Sequence, residues 1–178
     1  TQLVIDGAIG SDLRARLSGD ESGWIDSGKT SPLPEGTPLP DTVLRSIKTQ
    51  ASGNKTDIKF YFSDPPYFLP PPYYIEEKIG AAEITFYYAT SRIHPMVYDT
   101  ADTLVKSIQW KQAAEKKSVV TINLAPDKKI WGYDVSYSTG VFTLTLRQPP
   151  KLSGEAQNPL KGLKIMLDPG HSQENNSV

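Results

Sequence analysis

The stretch Asp57-Ile-Lys-Phe-Tyr-Phe-Ser63 decides the fold. Ile58, Phe60 and Phe62 fall at every second position, with Lys59, Tyr61 and Ser63 between them. In an extended chain a period of two sends the first set to one face and the second to the other, so this is a strand with one buried face. The alternation recurs. In EITFYYAT, Ile84, Phe86 and Tyr88 share a face; in VVTINLA, Val120, Ile122 and Leu124 do. In VFTLTLR, Phe142, Leu144 and Leu146 point inward while Thr143, Thr145 and Arg147 point outward. Turn signals separate these runs at Ser52-Gly53-Asn54, Lys78-Ile79-Gly80, Glu115-Lys116-Lys117 and Ser138-Thr139-Gly140. The pattern predicts antiparallel strands forming a sandwich or barrel over residues 42–149, poor in helix, with a turn near Asp102 to Val105.

On either side of this body the composition changes. Ser31 to Pro40 reads SPLPEGTPLP; its prolines remove backbone donors and exclude a strand or helix interior, so 31–41 is a linker. Before it, residues 1–30 carry short apolar pieces, Leu3 to Ile5, Leu13 to Leu17 and Trp24-Ile25, broken by glycine turns. They predict a partial small barrel that leans on its neighbour, because so short a unit cannot bury a core. After the body, 150–162 is a second linker. Leu163, Ile165 and Leu167 then alternate with Lys164 and Met166, which predicts a further strand with no place in the preceding sheet.

The totals narrow the function. A formal net charge of -1 gives no electrostatic case for nucleic acid. No apolar run is long enough for a spanning helix. No charged-then-apolar leader is seen, so any signal peptide is expected to have been removed or never to have been present. Without cysteine there is no disulfide, thiolate nucleophile or cysteine-ligated metal. With two histidines and no Gly-x-Ser-x-Gly elbow, no nucleophile–base pair is legible, which argues against a small independent enzyme.

The end of the chain, LKIMLDPGH, Leu163 to His171, resembles the first strand and first metal-binding turn of the zinc-dependent N-acetylmuramoyl-L-alanine amidases. These enzymes cleave the amide between the muramic acid lactyl group and L-alanine in peptidoglycan. The resemblance implies that His171 is the first zinc ligand, with Asp168 holding the turn or acting behind the ligand. The Pro169-Gly170 pair suits a turn at a strand end, and neutral imidazole is a common zinc ligand. The family's further ligands and its catalytic carboxylate lie downstream, whereas only SQENNSV follows His171 here. Ser172-Gln173 stands where the family often has Gly-Gly. A catalytic zinc needs three protein ligands and an open position. The expectation is therefore a chain inactive alone, with zinc in the full-length parent and none bound here. LRARLSGDESGWI resembles the bacterial SH3-like modules of cell-wall enzymes, and LVKSIQW and IWGYDVSYSTGVFTLTLRQPP resemble the AMIN-type β-sandwich. Together they imply an all-β chain: an SH3-like segment over 1–30, an AMIN-like sandwich over 42–149, and over 163–178 the truncated start of an α/β amidase domain.

Other features have competing readings. In PPYFLPPPYYIEE, Pro65 to Glu77, the aromatics Tyr67, Phe68, Tyr73 and Tyr74 surround a rigid proline stretch. They read first as a crossover pinning aromatics onto the sandwich and second as a glycan-stacking platform. His94, before Pro95, reads as structural or exposed, and Trp110 and Trp131 as core or rim anchors. Glu115-Lys116-Lys117 and Lys128-Lys129 read as solvated turn residues. The functional expectation is the wall-binding or targeting region of a secreted, periplasmic or wall-associated amidase. Its partner would be peptidoglycan or a wall-associated protein, with no nucleic acid and no membrane span. The alternative is a brace or regulatory domain that binds no wall.

Overall fold

The computed structural model describes residues 1–63 and 69–166. Among them there is no α-helix; the chain is built from strands and one 3₁₀ turn, Ser27–Lys29. The first three strands, β1 (Val4–Ile9), β2 (Asp12–Arg16) and β3 (Ser22–Asp26), form an antiparallel meander. Then come β4 (Thr42–Ser52), β5 (Lys55–Ser63), β6 (Tyr73–Lys78), β7 (Ala81–Tyr87), β8 (Ala89–Ser91) and β9 (Met96–Val97). The last four are β10 (Val105–Ala114), β11 (Lys117–Leu124), β12 (Gly132–Ser138) and β13 (Val141–Arg147).

These ten strands make two sheets. One runs β10-β11-β7-β6; the other runs β12-β13-β5-β4-β8, with β9 also on β4. Pairing is antiparallel except that β8 and β9 lie parallel to β4. The four hairpin turns fall where the turn signals stand. Thr139 and Gly140 both have positive φ (44° and 79°), the handedness a two-residue hairpin needs to match strand twist.

The sheets meet face to face through the alternating residues. Ile58, Phe60, Phe142 and Leu144 from one sheet and Ile84, Phe86, Val120 and Ile122 from the other share one core. Phe86 is its hub, meeting Phe60, Phe62 and Phe142 edge-on with each centroid 5.1 Å away. Edge-to-face pairs add about 0.5–1.5 kcal/mol each beyond the area they bury. The loop before β10 closes one end. Asp99 accepts from the Ala51 amide at 2.8 Å, and Asp102 accepts from Thr56 at 3.0 Å and from the Leu104 amide at 2.8 Å.

The chain passes from one sheet to the other between β7 and β8, at Tyr88. Its φ is 52°, a left-handed conformation that strains a bulky side chain. The side chain is buried, and its hydroxyl accepts from the Val4 amide at 3.1 Å and donates to the Arg16 carbonyl. Tyr88 thus turns the corner and ties the meander to the sandwich.

The meander has almost no core of its own: Ala15 is its one buried apolar side chain. Polar contacts hold it. Lys117 Nζ lies 2.7 Å from one Glu21 oxygen, and the Tyr87 hydroxyl donates to the other at 2.9 Å. Lys116 pairs with Asp41 at 2.9 Å. Gly19 donates its amide to the Glu115 carbonyl at 3.2 Å, and a β-carbon there would meet Glu115 Cβ at 3.4 Å. Lys117 is therefore a docking residue and Lys116 is ion-paired to the segment before β4, where the sequence suggests solvated turn residues, because their partners come from far along the chain.

A second difference lies at the far end. Leu163 to Met166 form no strand, and Ile165 and Met166 are exposed. A strand needs a hydrogen-bonded neighbour, and none of the described strands pairs with this stretch. Residues 30–41 and 148–162 also contain no strand.

Two outcomes follow from this packing. Phe86→Ala should lower unfolding free energy by about 3–5 kcal/mol, measured by denaturant titration, because it empties the hub of the core. The docked meander should loosen at both pH extremes. Hydrogen bonds from Lys117, then Tyr87, hold Glu21 below the usual carboxylate range, so its contribution is complete above that range and is lost as pH falls through the lowered value. Burial, then the bond to Glu21, pushes Tyr87 from 10.0 to about 12, so its contribution is complete below 10.0 and fades as pH rises toward 12. Lys117 is raised by Glu21, and its share is also lost with rising pH. Each exposed pair is worth about 0–1 kcal/mol. Near-ultraviolet circular dichroism should show both limbs, and Tyr87→Phe should shrink the alkaline one.

Candidate functional site

The two lateral edges of the sandwich differ. Where β8 meets β10 and β11, the sheets are laced together. Gln112 accepts from the Ser91 amide at 2.8 Å and donates to the Ala89 carbonyl at 3.2 Å. The Ala89 amide reaches the Lys116 carbonyl at 3.2 Å, and the Ser91 and Ser118 hydroxyls bond to each other.

The other edge has no such lacing among the described residues. It lies between β6 and β12, each of which has a strand partner on one side only. The two come to the same side because Tyr73, on β6, packs edge-on against Phe142 at 4.8 Å, and Phe142 is in register with Tyr137 of β12. On β12 the alternation Tyr133, Val135, Tyr137 faces the interior, opposite Leu146, Leu144 and Phe142. On β6, Tyr73 and Ile75 face it.

This edge collects exposed aromatic surface. Trp131 is 70% exposed, Tyr74 59%, Tyr133 42% and Tyr73 40%. The Tyr137 hydroxyl is buried and makes no well-formed hydrogen bond among the described residues; burial pushes its pKa up, and the nearby Gly140 backbone pulls it partly back. An unpaired buried hydroxyl is costly, and such a group beside exposed rings is a donor without an acceptor. Aromatic rings with polar tips, half in and half out of water, present both an apolar face for sugar C–H groups and hydrogen-bonding points. Carboxylates stand among these rings as well, Glu76 and Glu77 on β6 and Asp134 on β12.

Of the residues the sequence singles out, Tyr73 and Tyr74 sit here. As neighbours on a strand they point to opposite faces, so they do not make a single platform: Tyr73 leans on the core and Tyr74 projects outward beside Glu76. Tyr67, Phe68, Asp168 and His171 lie outside the described residues. Among the described residues no three His, Asp or Glu side chains converge in a way that could hold a metal ion. His94 lies in the exposed segment after β8, and its amide donates to the Arg45 carbonyl at 2.8 Å. Trp131 is at the rim, not in the core, and Trp110 is partly exposed on edge strand β10. Tyr133 and Tyr137 are not among the candidate contacts the sequence suggests; the alternation in GYDVSYS is the signal that marks them.

No helix among the described residues is long and apolar enough to cross a membrane. Comparison of the chain with protein-family models, with curated proteins and with solved structures gave no significant match.

Because the Tyr137 hydroxyl makes no well-formed hydrogen bond, removing it should cost the free protein little. Tyr137→Phe should then leave stability unchanged or raise it by up to about 1 kcal/mol, measured by thermal and denaturant unfolding.

Proposed function

We propose that this chain is the non-catalytic, wall-binding region of a peptidoglycan amidase acting outside the cytoplasm. It would hold cell-wall glycan while a zinc-dependent domain of the parent protein cuts the lactyl–alanine amide. The observation that carries this reading is the unlaced edge between β6 and β12, with Tyr73, Tyr74, Trp131 and Tyr133 exposed along it. Glycan strands are long, uncharged and hydroxyl-rich, so stacking on several modest aromatic contacts suits them better than one deep pocket.

The sequence supports the same assignment. LKIMLDPGH, Leu163 to His171, resembles the opening of the amidase catalytic domain, and a β-rich body before it is in keeping with the order in which such enzymes carry their targeting modules. In that setting the meander would be a partial SH3-like unit and the sandwich an AMIN-like one. His171 would supply one zinc ligand in the parent; the described residues supply no others, and no chemical step is assigned to this chain.

The docked meander favours a second reading, a brace that sets the orientation of the units and binds no wall. The polar clamp of Glu21, Lys117 and Tyr87 is the kind of contact such a brace needs.

Sedimentation with purified insoluble peptidoglycan separates the two. A wall-binding chain goes to the pellet and a brace stays in the supernatant. Tyr74→Ala and Trp131→Ala, both at exposed positions, should each weaken retention by roughly two- to tenfold, about 0.5–1.5 kcal/mol per ring. Retention that ignores both changes would remove the aromatic edge as the binding surface.

A further inference from the structure

The outer face of the six-stranded sheet carries a feature that neither the core nor the aromatic edge uses. Register places Ser136 opposite Thr143, Thr143 opposite Lys59, and Lys59 opposite Lys48. Four strands thus carry a single row of two hydroxyls and two ammonium groups, each step one strand spacing, about 4.8 Å. Like charges directly opposite one another in a sheet are destabilising. The two lysines diverge instead of finding acids. Lys48 Nζ lies 5.3 Å from the centre of the Tyr61 ring, and Lys59 Nζ donates to the Gln50 amide oxygen at 2.9 Å. Neither is ion-paired among the described residues.

The flanking rows offset them only in part. Arg45, Lys55 and Arg147 lie on the same face. Among the described residues its carboxylates are Asp57, which accepts from Thr145 at 2.7 Å and keeps its charge, and Asp134, which Arg147 pairs at 2.9 Å. The whole chain has a formal net charge of -1, so this face gathers positive charge that the protein overall lacks. A sheet that retains an unfavourable pair at the centre of its solvated face is arranged for an anion that spans both lysines.

We propose that this face binds an extended phosphate-bearing polyol chain, with phosphodiesters on Lys48 and Lys59 and polyol hydroxyls on Thr143 and Ser136. Lysine binds phosphate as a point charge, and adjacent unneutralised ammoniums suit charges repeated along a polymer. The hydroxyl half of the row suits a polyol. A single-stranded nucleic acid would want exposed rings for base stacking. Tyr61 is the only aromatic of this face among the described residues, and Lys48 already covers it.

The test is calorimetric titration of the full chain with synthetic poly(glycerol phosphate) over a salt series. Oligo-dT and poly-L-glutamate of matched charge serve as comparison polymers. Saturable binding is expected, with affinity falling linearly on a log–log salt plot. K48Q/K59Q should weaken it by about tenfold or more and reduce the salt slope by about two. The same variant should melt no lower than the wild type, since it removes a like-charge opposition. K106Q/K111Q, on β10 of the other sheet, should bind as the wild type does. No saturable binding, equal affinity in K48Q/K59Q, or equal loss in K106Q/K111Q would overturn the proposal. So would binding of oligo-dT or poly-L-glutamate as tight as that of the polyol phosphate. Tyr74→Ala and Trp131→Ala should not affect this titration, so its failure and a failure of the glycan reading are read separately.

Discussion

The contact of Phe86 with Phe60, Phe62 and Phe142 is the joint on which this molecule depends. Phe86 comes from the four-stranded sheet and the other three from the six-stranded one. Edge-to-face rings fix both the separation of two sheets and their lateral offset, which aliphatic contacts leave looser. The offset then decides what each edge becomes. On one side β8 is brought within hydrogen-bonding reach of β10 and β11, and the seam closes through Gln112. On the other, Tyr73 is drawn onto Phe142 while β6 and β12 keep their outer backbone groups free. The aromatic edge is thus a product of where the four phenylalanines lock.

Tyr88 is the second constraint, and it acts through the backbone. Left-handed geometry costs an L-residue about 1–2 kcal/mol, and glycine would avoid that cost. A tyrosine here returns something glycine cannot, a buried ring and a hydroxyl that joins Val4 to Arg16. With Glu21, Lys117 and Tyr87 nearby, a unit with one buried apolar residue is held against the sandwich almost entirely by polar groups. A contact of that composition is sensitive to charge state in a way the phenylalanine joint is not.

Much of this was legible in the sequence, for a definite reason. Strands buried on one face write their burial into a period of two, and Ile58-Phe60-Phe62 and Phe142-Leu144-Leu146 show it without interruption. Hairpin turns write themselves in glycine and asparagine. β6 was hidden because it follows a run of prolines and has only Tyr73 and Ile75 to point inward. β8 and β9 were hidden because segments of three and two residues have no period to read; their parallel pairing with β4 is fixed by the Tyr88 corner and by tertiary contact. The docking of the meander was hidden because its partners are single polar side chains far apart in the chain. The aromatic edge was half visible: Tyr73 and Tyr74 stood out, whereas Trp131 and Tyr133 come to the same side of the sandwich as β6 only once the sheets are stacked. The Lys48–Lys59 opposition could not be seen until register was known.

The strand order has a consequence for how the protein is made. β13 sits between β12 and β5, so Val141 must find Tyr61, which leaves the ribosome far earlier. Until then the outer edge of β5 carries a row of unsatisfied amides, although Phe86 of β7 can already cover Phe60 and Phe62 on its face. Nascent chains with such flanks pair with the wrong neighbour. The order of the strands thus leaves one edge of the β4–β5 hairpin unpaired until a strand about eighty residues later in the chain closes it.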